Sequence, residues 1–283
     1  MPDDPVLPRL LAQFAGVERA CVAFSGGADS SLVLAAAARA LGPGGVVAVT
    51  ATSPTYLDEE LAAARALAEG LGVEHVVVAT HEFDDERFVA NSRERCYFCK
   101  AGLLDELVRV AAEHGGAALV DGANADDAGD HRPGMRAAAE RGVLQPLLAA
   151  GVTKAEVRRL ARELGLSTWD APQQACLASR VPYGEPITPA KLAAVADAER
   201  ALRELGFRQC RVRHHGNVAR LEVERDELGR ALELREQIAR AVHAAGFTYV
   251  ALDMDGFRTG SMNEARILDV AKVSSGAPKK HCS

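Results

Sequence analysis

A glycine- and serine-rich loop between a predicted strand and a predicted helix is the first place where this sequence could do chemistry. The segment 23–31 reads AFSGGADSS and follows an apolar run. Its two glycines let the backbone approach a ligand, and the helix start offers unpaired N–H groups to an anion. The loop is not a Walker A motif, and Asp29 suggests Mg²⁺ bound together with phosphates. The predicted nucleotide contacts of this loop are Ala23, Ser25, Gly26, Gly27, Asp29 and Ser30.

Three cysteines form a second candidate site. Cys96 and Cys99 stand in a CxxC pattern at the start of a predicted helix, where the helix dipole favours thiolates. Cys176 lies in an irregular, proline-flanked stretch of the kind that often displays reactive residues. Three cysteine ligands leave one coordination position open, which suits an iron–sulfur cluster that binds something exchangeable. A redox dithiol and an incidental pair are the alternatives for the CxxC motif.

A short basic hairpin is the third candidate site. Strand alternation places Arg211 and Arg213 on one face, and two adjacent guanidinium groups suit a dianionic phosphate. The alternative is a solvated edge strand that is kept charged to prevent aggregation. We expect salt bridges from Glu222 and Glu224 to these arginines, with a divalent-ion site as the alternative. The residues predicted to bind a substrate phosphate are Ser179, Arg180, Arg211, Arg213 and Arg258.

Polar residues also follow the predicted strands of the first half. Ligands of open α/β sheets bind beyond the carboxyl ends of the strands, so Ser53, Asp121 and Asn124 are expected around ATP. Turn formation alone would also explain the Asn and Asp residues. Lys100, next to the CxxC pair, could neutralise phosphate charge or stabilise an oxyanion, or it could be a solvated helix lysine.

The elements that must position these residues alternate between strand and helix in the first half. Continuous apolar strands at 19–24, 46–50, 75–79 and 117–120 alternate with helices at 29–41, 57–70 and 98–112. This pattern predicts an α/β domain with a parallel sheet covered on both faces. The irregular stretch 167–185 separates it from a smaller α+β part, so we expect domains at 1–170 and 171–283. The second part reads as helix 188–205, hairpin strands 207–215 and 218–224 around Gly216-Asn217, helix 226–245 and strand 249–254.

Composition excludes several classes of protein. With 283 residues, 48 % hydrophobic and 25 % charged, the chain can bury cores and is not generally disordered. Its net charge of −6 gives no support for general nucleic-acid binding, and no apolar run could span a membrane. The N-terminal residues do not resemble a signal peptide, so we expect a cytoplasmic protein without a disulfide scaffold. Of the other cysteines, Cys21 and Cys210 read as core residues, and Cys282 could be a ligand only if the polar tail folds back.

These motifs resemble a known family. SGGADS resembles the loop of the PP-loop ATP pyrophosphatases, whose ATP-binding domain is of the adenine nucleotide alpha-hydrolase-like type. From about residue 19 to 265, the chain is similar to the ATP-dependent sulfur transferases that mature the nickel-pincer nucleotide cofactor of lactate racemase. The segments that carry this similarity are NSRERCYFCK (91–100), DGANADDAGDHRPG (121–134), STWDAPQQACLASRVPYG (167–184) and FRQCRVRHHG (207–216).

The resemblance implies a two-step reaction on a pyridinium dicarboxylate mononucleotide. ATP and Mg²⁺ activate a carboxylate with release of pyrophosphate, and sulfur insertion then gives a thiocarboxylate. The family has two sulfur routes: sacrifice of a cysteine at the position of Cys176, or a [4Fe–4S] cluster on cysteines at the positions of Cys96, Cys99 and Cys176. This sequence has all three cysteines and so resembles the cluster type, for which a sulfide source and a homo-hexamer are expected.

Three rival functions stay open from the sequence alone. A tRNA-thiolating enzyme would use the same loop and would bind RNA in a strongly salt-dependent manner. An amide-forming synthetase would adenylate its substrate but would need no CxxC pair. A non-catalytic nucleotide or iron sensor would bind ATP without releasing pyrophosphate.

Overall fold

The structure, a computed structural model, describes residues 5–54, 58–127, 133–172, 175–258 and 261. These residues form two compact units. The first unit runs to Cys176 and includes Tyr183–Pro189, whereas the second comprises Leu177–Pro182 and resumes at Ala190. The chain therefore passes between the units three times near residues 176–190, and the single boundary expected after residue 170 stays a prediction.

The first unit is built on a parallel sheet, which confirms the predicted α/β class. Its strand order is β3-β2-β1-β4, and every neighbouring pair is parallel. Such pairs need crossover connections, which the intervening helices supply. The strands are β1 (Ala20–Ala23), β2 (Val46–Thr52), β3 (Glu74–Ala79) and β4 (Ala118–Val120).

Helices cover both faces of this sheet. Val22 and Ala48 pack into one apolar cluster with Leu34 and Leu160, whereas Cys21 packs into a second cluster. This alternation along β1 is the two-residue period of a strand with two buried faces. Among the described residues, no helix is long and apolar enough to cross a membrane. The helices are α1 (Val6–Leu11), α2 (Ala28–Leu41), α3 (Asp58–Gly70), α4 (Glu86–Val89), α5 (Arg95–Glu113), α6 (Pro133–Glu140), α7 (Pro146–Ala149) and α8 (Lys154–Glu163).

The second unit is a small α+β arrangement around a three-stranded sheet. The antiparallel hairpin turns at Gly216-Asn217 as predicted, and the third strand pairs in parallel with the second. The helix predicted at 226–245 is wrong in detail, because it is two helices that meet at Leu234. The elements are α9 (Pro189–Glu204), β5 (Cys210–His215), β6 (Val218–Val223), α10 (Leu228–Glu233), α11 (Arg235–Ala244) and β7 (Tyr249–Leu252).

Candidate active site

The glycine- and serine-rich loop joins β1 to α2. Gly26 has a φ of +74°, a left-handed conformation that glycine adopts without strain. A Cβ on Gly26 would lie 3.2 Å from the Cβ of Ala64, so α3 packs directly against the loop. The Ser25 and Ser30 hydroxyls are 3.1 Å apart, and the Ser30 hydroxyl also lies 3.1 Å from the Gly27 carbonyl oxygen. The result is a compact turn at the start of a long helix, an arrangement that suits phosphate groups.

Asp29, in the first turn of α2, is held by two side chains. The Lys154 ammonium at the start of α8 forms an ion pair with one oxygen of the Asp29 carboxylate. The Asn124 amide donates a hydrogen bond of 3.3 Å to the other oxygen. A carboxylate and an ammonium thus stand together beside the loop, where one suits Mg²⁺ and the other suits a phosphate oxygen.

The segment after β4 packs against the same helix end. A Cβ on Gly122 would lie only 3.0 Å from the backbone nitrogen of Ser30, so a larger residue would press against the start of α2. The preceding Asp121 is buried and forms a 3.0 Å ion pair with Lys100 on α5. Asp121 also accepts a hydrogen bond of 3.2 Å from Gln145. Lys100 is therefore anchored beside the loop and is not a solvated helix lysine.

The ends of β2 and β3 are joined by a buried carboxylate. The Ser53 hydroxyl donates a hydrogen bond of 2.5 Å to Glu82, which is 8 % exposed. Glu82 follows β3 and is one of the groups that act on the pKa of Cys99. The carboxyl ends of all four strands thus contribute polar groups to one rim of the first unit.

The three candidate cysteines all belong to the first unit. Cys96 and Cys99 lie in the first turns of α5, and Cys96 and Cys176 are exposed. Burial raises the pKa of the Cys99 thiol well above its usual range, and Cys176 raises it further. Glu82 and Cys96 act in the same direction, whereas Lys100 opposes them. Cys176, which is distant in the sequence, is thus among the groups that act on the CxxC pair.

The donor set fits an iron–sulfur cluster in its chemistry. The three cysteines are reduced thiols, and two of them share the first turns of α5. A thiol loses its proton when it binds a metal, so the neutral Cys99 is compatible with this role. Among the residues that the structure describes, no three His, Cys, Asp or Glu side chains are gathered closely enough to hold a metal ion. Cluster binding would therefore have to draw the three sulfurs closer together.

The basic site of the second unit is centred on a buried ion pair. Arg180 donates two hydrogen bonds, of 2.8 and 2.9 Å, to the two oxygens of Glu199. Glu199 also accepts a hydrogen bond of 3.0 Å from the backbone of Val212 on β5. Burial alone would raise the pKa of Glu199, but the charge and hydrogen bonds of Arg180 outweigh burial and lower it. Glu199 is therefore charged, and it fixes the guanidinium of Arg180 in place.

Arg213 belongs to the same hydrogen-bonded network. It donates to Glu222 at 2.8 Å, to the Ser261 hydroxyl at 2.9 Å and to the Ser179 carbonyl at 3.3 Å. Ser179 in turn accepts a hydrogen bond of 3.1 Å from Arg180. The expected salt bridge from Glu222 to the arginines is confirmed, whereas the part of Ser261 in this network was not predicted.

Arg211 and Arg258 complete the basic site. Arg211 is buried, with its guanidinium 5.3 Å from the centre of the Phe257 ring. Burial, and then the positive charge of Arg180, lower the pKa of Arg211 to about 10. Arg258 forms a 3.4 Å ion pair with Asp253, a residue that also pairs with Arg220. The local potential is positive: Arg180, Arg211, Arg213, Arg220 and Arg258 outnumber Glu199, Glu222 and Asp253 by two charges.

Replacing Glu199 by glutamine should lower the free energy of unfolding by about 3 kcal/mol, because it leaves the buried charge of Arg180 unpaired. Chemical denaturation at neutral pH measures this. Since the pKa of Glu199 is lowered on folding, the difference from the unaltered chain should disappear as the pH falls through that lowered pKa. The control is Asp197→Asn on the same helix, which breaks an exposed pair with Arg200 and should cost less than about 1 kcal/mol. Equal effects of the two changes would contradict this role.

The structure gathers the predicted residues into two groups. The loop residues, Ser53, Lys100, Asp121, Asn124 and the three cysteines lie in the first unit, and the five predicted phosphate ligands lie in the second. Cys282 lies outside the described residues. Lys154 and Glu82 were missed, because nothing in the local sequence marks a lysine in a capping box or a glutamate after a strand as part of a site. The roles of all these residues stay predictions.

The parallel sheet and the loop at the end of its first strand define a nucleotide-binding domain of the PP-loop ATP pyrophosphatase class. A family model described as asparagine synthase matches residues 12–127, which span β1 to β4. A pyridinium-3,5-bisthiocarboxylic acid mononucleotide synthase of Lactiplantibacillus plantarum is 39 % identical over 255 residues, which are 90 % of this chain and 92 % of the relative. The chain belongs to the family of these synthases.

Two further relatives are similar to this chain. An uncharacterized protein of Synechocystis sp. is 43 % identical over 256 residues, which are 89 % of this chain and 95 % of the relative. An uncharacterized protein of Methanocaldococcus jannaschii is 28 % identical over 174 residues, or 62 % of this chain and 68 % of the relative. The family and the ATP-binding domain confirm the predicted class of enzyme, an ATP-dependent sulfurtransferase.

Proposed function

We propose that this chain converts a pyridinium dicarboxylate mononucleotide into its thiocarboxylate, with sulfur delivered at Cys96, Cys99 and Cys176. The substrate follows from the name of the relative that is 39 % identical. The observation that supports the sulfur site is that all three cysteines belong to the unit that carries the phosphate loop, with two of them in the first turns of α5. Sulfur delivery needs cysteines beside the activated acid, and Lys100, which follows the CxxC pair directly, is paired with Asp121 next to the phosphate loop.

The first half of the reaction activates the carboxylate. A substrate carboxylate oxygen attacks the α-phosphorus of ATP, and pyrophosphate leaves with the electrons of the broken P–O bond. The loop at the start of α2 would hold the departing phosphates, and Asp29 would bind their Mg²⁺ ion. The Lys154 ammonium stands beside that carboxylate, so it would stabilise negative charge that develops on the phosphates.

The second half exchanges an oxygen of the acid for sulfur. A sulfur nucleophile attacks the acyl carbon, AMP leaves, and the thiocarboxylic acid loses its proton to give a thiocarboxylate. When bound by Cys96, Cys99 and Cys176, a [4Fe–4S] cluster supplies an iron that can carry an exchangeable sulfide. Lys100, fixed by Asp121, places a positive charge beside Cys99 and would stabilise the oxyanion formed during attack.

The basic site of the second unit would bind the phosphate of the mononucleotide. Its excess of two positive charges matches a phosphate dianion, and the buried carboxylates fix the guanidinium groups in advance. Because the positions of these arginines are set by ion pairs, little side-chain ordering is left for binding. Such a phosphate site would favour a mononucleotide over a free pyridine acid as the substrate.

Changing Arg211 and Arg213 together to glutamine should raise the KM for the mononucleotide by about 100-fold, because two charge-assisted hydrogen bonds are lost. The KM for ATP should stay within about threefold, since ATP binds elsewhere. Pyrophosphate release at varied concentrations of each substrate measures both constants. Arg240→Gln, on the exposed surface of the same unit, is the matched control. Equal rises in the two KM values would place the phosphate site elsewhere.

The activity itself is tested with the purified chain under anaerobic conditions. ATP, Mg²⁺, sulfide and pyridinium-3,5-dicarboxylate mononucleotide are supplied, and the products are analysed by mass spectrometry. We expect pyrophosphate, AMP and a nucleotide in which sulfur replaces oxygen. Pyrophosphate without a sulfur-containing product would contradict the proposed transfer.

The proposal includes the setting in which the enzyme works. We propose a cytoplasmic homo-oligomer, a hexamer by resemblance, that takes sulfide from an external source.

A further inference from the structure

The segment that carries Cys176 is anchored on both sides within the first unit. Between Cys176 and Tyr183 the chain contributes Leu177–Pro182 to the second unit and then returns. The residues that receive the returning chain directly precede the CxxC pair. We call these contacts the Asn91 clamp, which consists of Asn91, Arg95, Tyr183, Gly184 and Glu185.

Asn91 is the centre of the clamp. It is fully buried and has a φ of +53°, a left-handed conformation that is uncommon for residues other than glycine. Its side-chain amide donates to the Glu185 carbonyl at 2.9 Å, and its backbone carbonyl accepts from the Gly184 nitrogen at 3.1 Å. A buried residue in such a conformation persists where its surroundings hold it, and this is common at functional sites.

Arg95 links the clamp to the cysteine helix. It is buried, precedes Cys96 directly and donates a hydrogen bond to the side-chain oxygen of Asn91. Its guanidinium lies 4.8 Å from the centre of the Tyr183 ring, a cation–π contact. Arg95 therefore contacts both Asn91, which receives the returning chain, and Tyr183, with which the return begins.

The chain before Cys176 is held by a different element. Arg158 on α8 donates to the carbonyl oxygens of Trp169 at 3.0 Å and Ala171 at 2.8 Å. Cys176 thus lies between two stretches that are fixed to the first unit, one at Trp169 and Ala171 and the other at Tyr183, with Leu177–Pro182 of the second unit in between. Fixing both ends of a segment removes much of the conformational freedom of its middle.

We propose that Asn91 is a positioning residue for Cys176: through the clamp it holds the returning chain beside the CxxC helix and so keeps Cys176 within reach of Cys99. This deepens the proposed function, on whose sulfur site it rests. Loss of the clamp should separate Cys176 from the pair without disturbing the phosphate loop. Sulfur transfer should therefore fall while pyrophosphate release is retained.

The test measures cysteine proximity in the full chain without a cluster. Diamide accepts two hydrogens from a pair of neighbouring thiols and leaves a disulfide, and mass spectrometry of peptides identifies the linked cysteines. The unaltered chain should link Cys176 to Cys96 or Cys99. Asn91→Gly keeps the left-handed backbone but deletes the side-chain bonds, and it should slow this linkage about tenfold or more.

Matched variants separate positioning from general damage. Tyr183 is 41 % exposed, so Tyr183→Ala removes the cation–π contact at a tolerant position, while Tyr183→Phe keeps the ring and should restore linkage. Arg109→Gln changes an exposed residue on α5, the helix that carries the CxxC pair, and Cys176 should form its disulfide at the normal rate in this variant. In all of these variants, the rate of pyrophosphate release should stay within about twofold of the rate of the unaltered chain.

Two results would overturn the proposal. One is linkage in Asn91→Gly and Tyr183→Ala at the rate of the unaltered chain, and the other is no linkage of Cys176 to the CxxC pair in the unaltered chain. The linkage assay needs neither substrate nor cluster. A chain that links as expected but makes no thiocarboxylate would instead contradict the proposed function alone.

Discussion

Replacing Cys176 by serine should lower the rate of sulfur transfer by about 10³-fold or more, because a hydroxyl cannot replace a sulfur ligand or nucleophile. Pyrophosphate release in the presence of substrate should stay within about twofold, since the adenylating groups lie on the phosphate loop. The two rates are measured in one anaerobic reaction, by phosphate detection after pyrophosphatase treatment and by mass spectrometry of the nucleotide.

The control for this change introduces the same residue at the neighbouring exposed position. Ala175→Ser keeps Cys176 and should transfer sulfur at a normal rate. Sulfur transfer by Cys176→Ser at the unaltered rate would remove Cys176 from the mechanism. A parallel loss of pyrophosphate release would show that Cys176 acts before sulfur delivery, contrary to the proposed division of steps.

Replacing Asp29 by asparagine should lower pyrophosphate release by about 10²- to 10³-fold, the range seen when a group that stabilises transition-state charge is removed. The change preserves size but removes the charge that would bind Mg²⁺, and it leaves the ammonium of Lys154 without its partner. Because adenylation precedes sulfur insertion, the thiocarboxylate product should fall in the same proportion.

A control variant and a test of folding accompany the Asp29→Asn change. Glu69→Gln removes an exposed carboxylate at the end of α3 and should leave pyrophosphate release unchanged. Thermal unfolding shows whether Asp29→Asn remains folded. Unchanged pyrophosphate release by a folded Asp29→Asn chain would exclude the proposed role of this carboxylate.

The features that sequence reasoning predicted correctly have local signals. The alternation of apolar strands and helices fixes the parallel class of the sheet, because parallel neighbours need crossovers. The capping box at the start of α8, with reciprocal bonds between Thr153 and Glu156, likewise follows a pattern that is visible in the sequence. The turn at Gly216-Asn217 also follows from the dipeptide itself. In each case the residues that decide the conformation are neighbours along the chain.

The features that it missed depend on distant partners. Lys154 pairs with Asp29 across 125 positions, and the capping box in which it stands carries no sign of that contact. The break between α10 and α11 falls at Leu234, where no glycine or proline marks the end of a helix. The passages of the chain between the two units are likewise decided by tertiary contacts such as those of Asn91. Local patterns therefore identified most of the candidate residues but not the pairings that position them.

The most direct test of the sulfur site is the mass of the protein after several turnovers with sulfide and a reconstituted cluster. If Cys96, Cys99 and Cys176 act together as proposed, Cys176 stays intact and each chain yields more than one thiocarboxylate. Loss of one H₂S from Cys176, with product formation ending at one sulfur per chain, would contradict the cluster-type account.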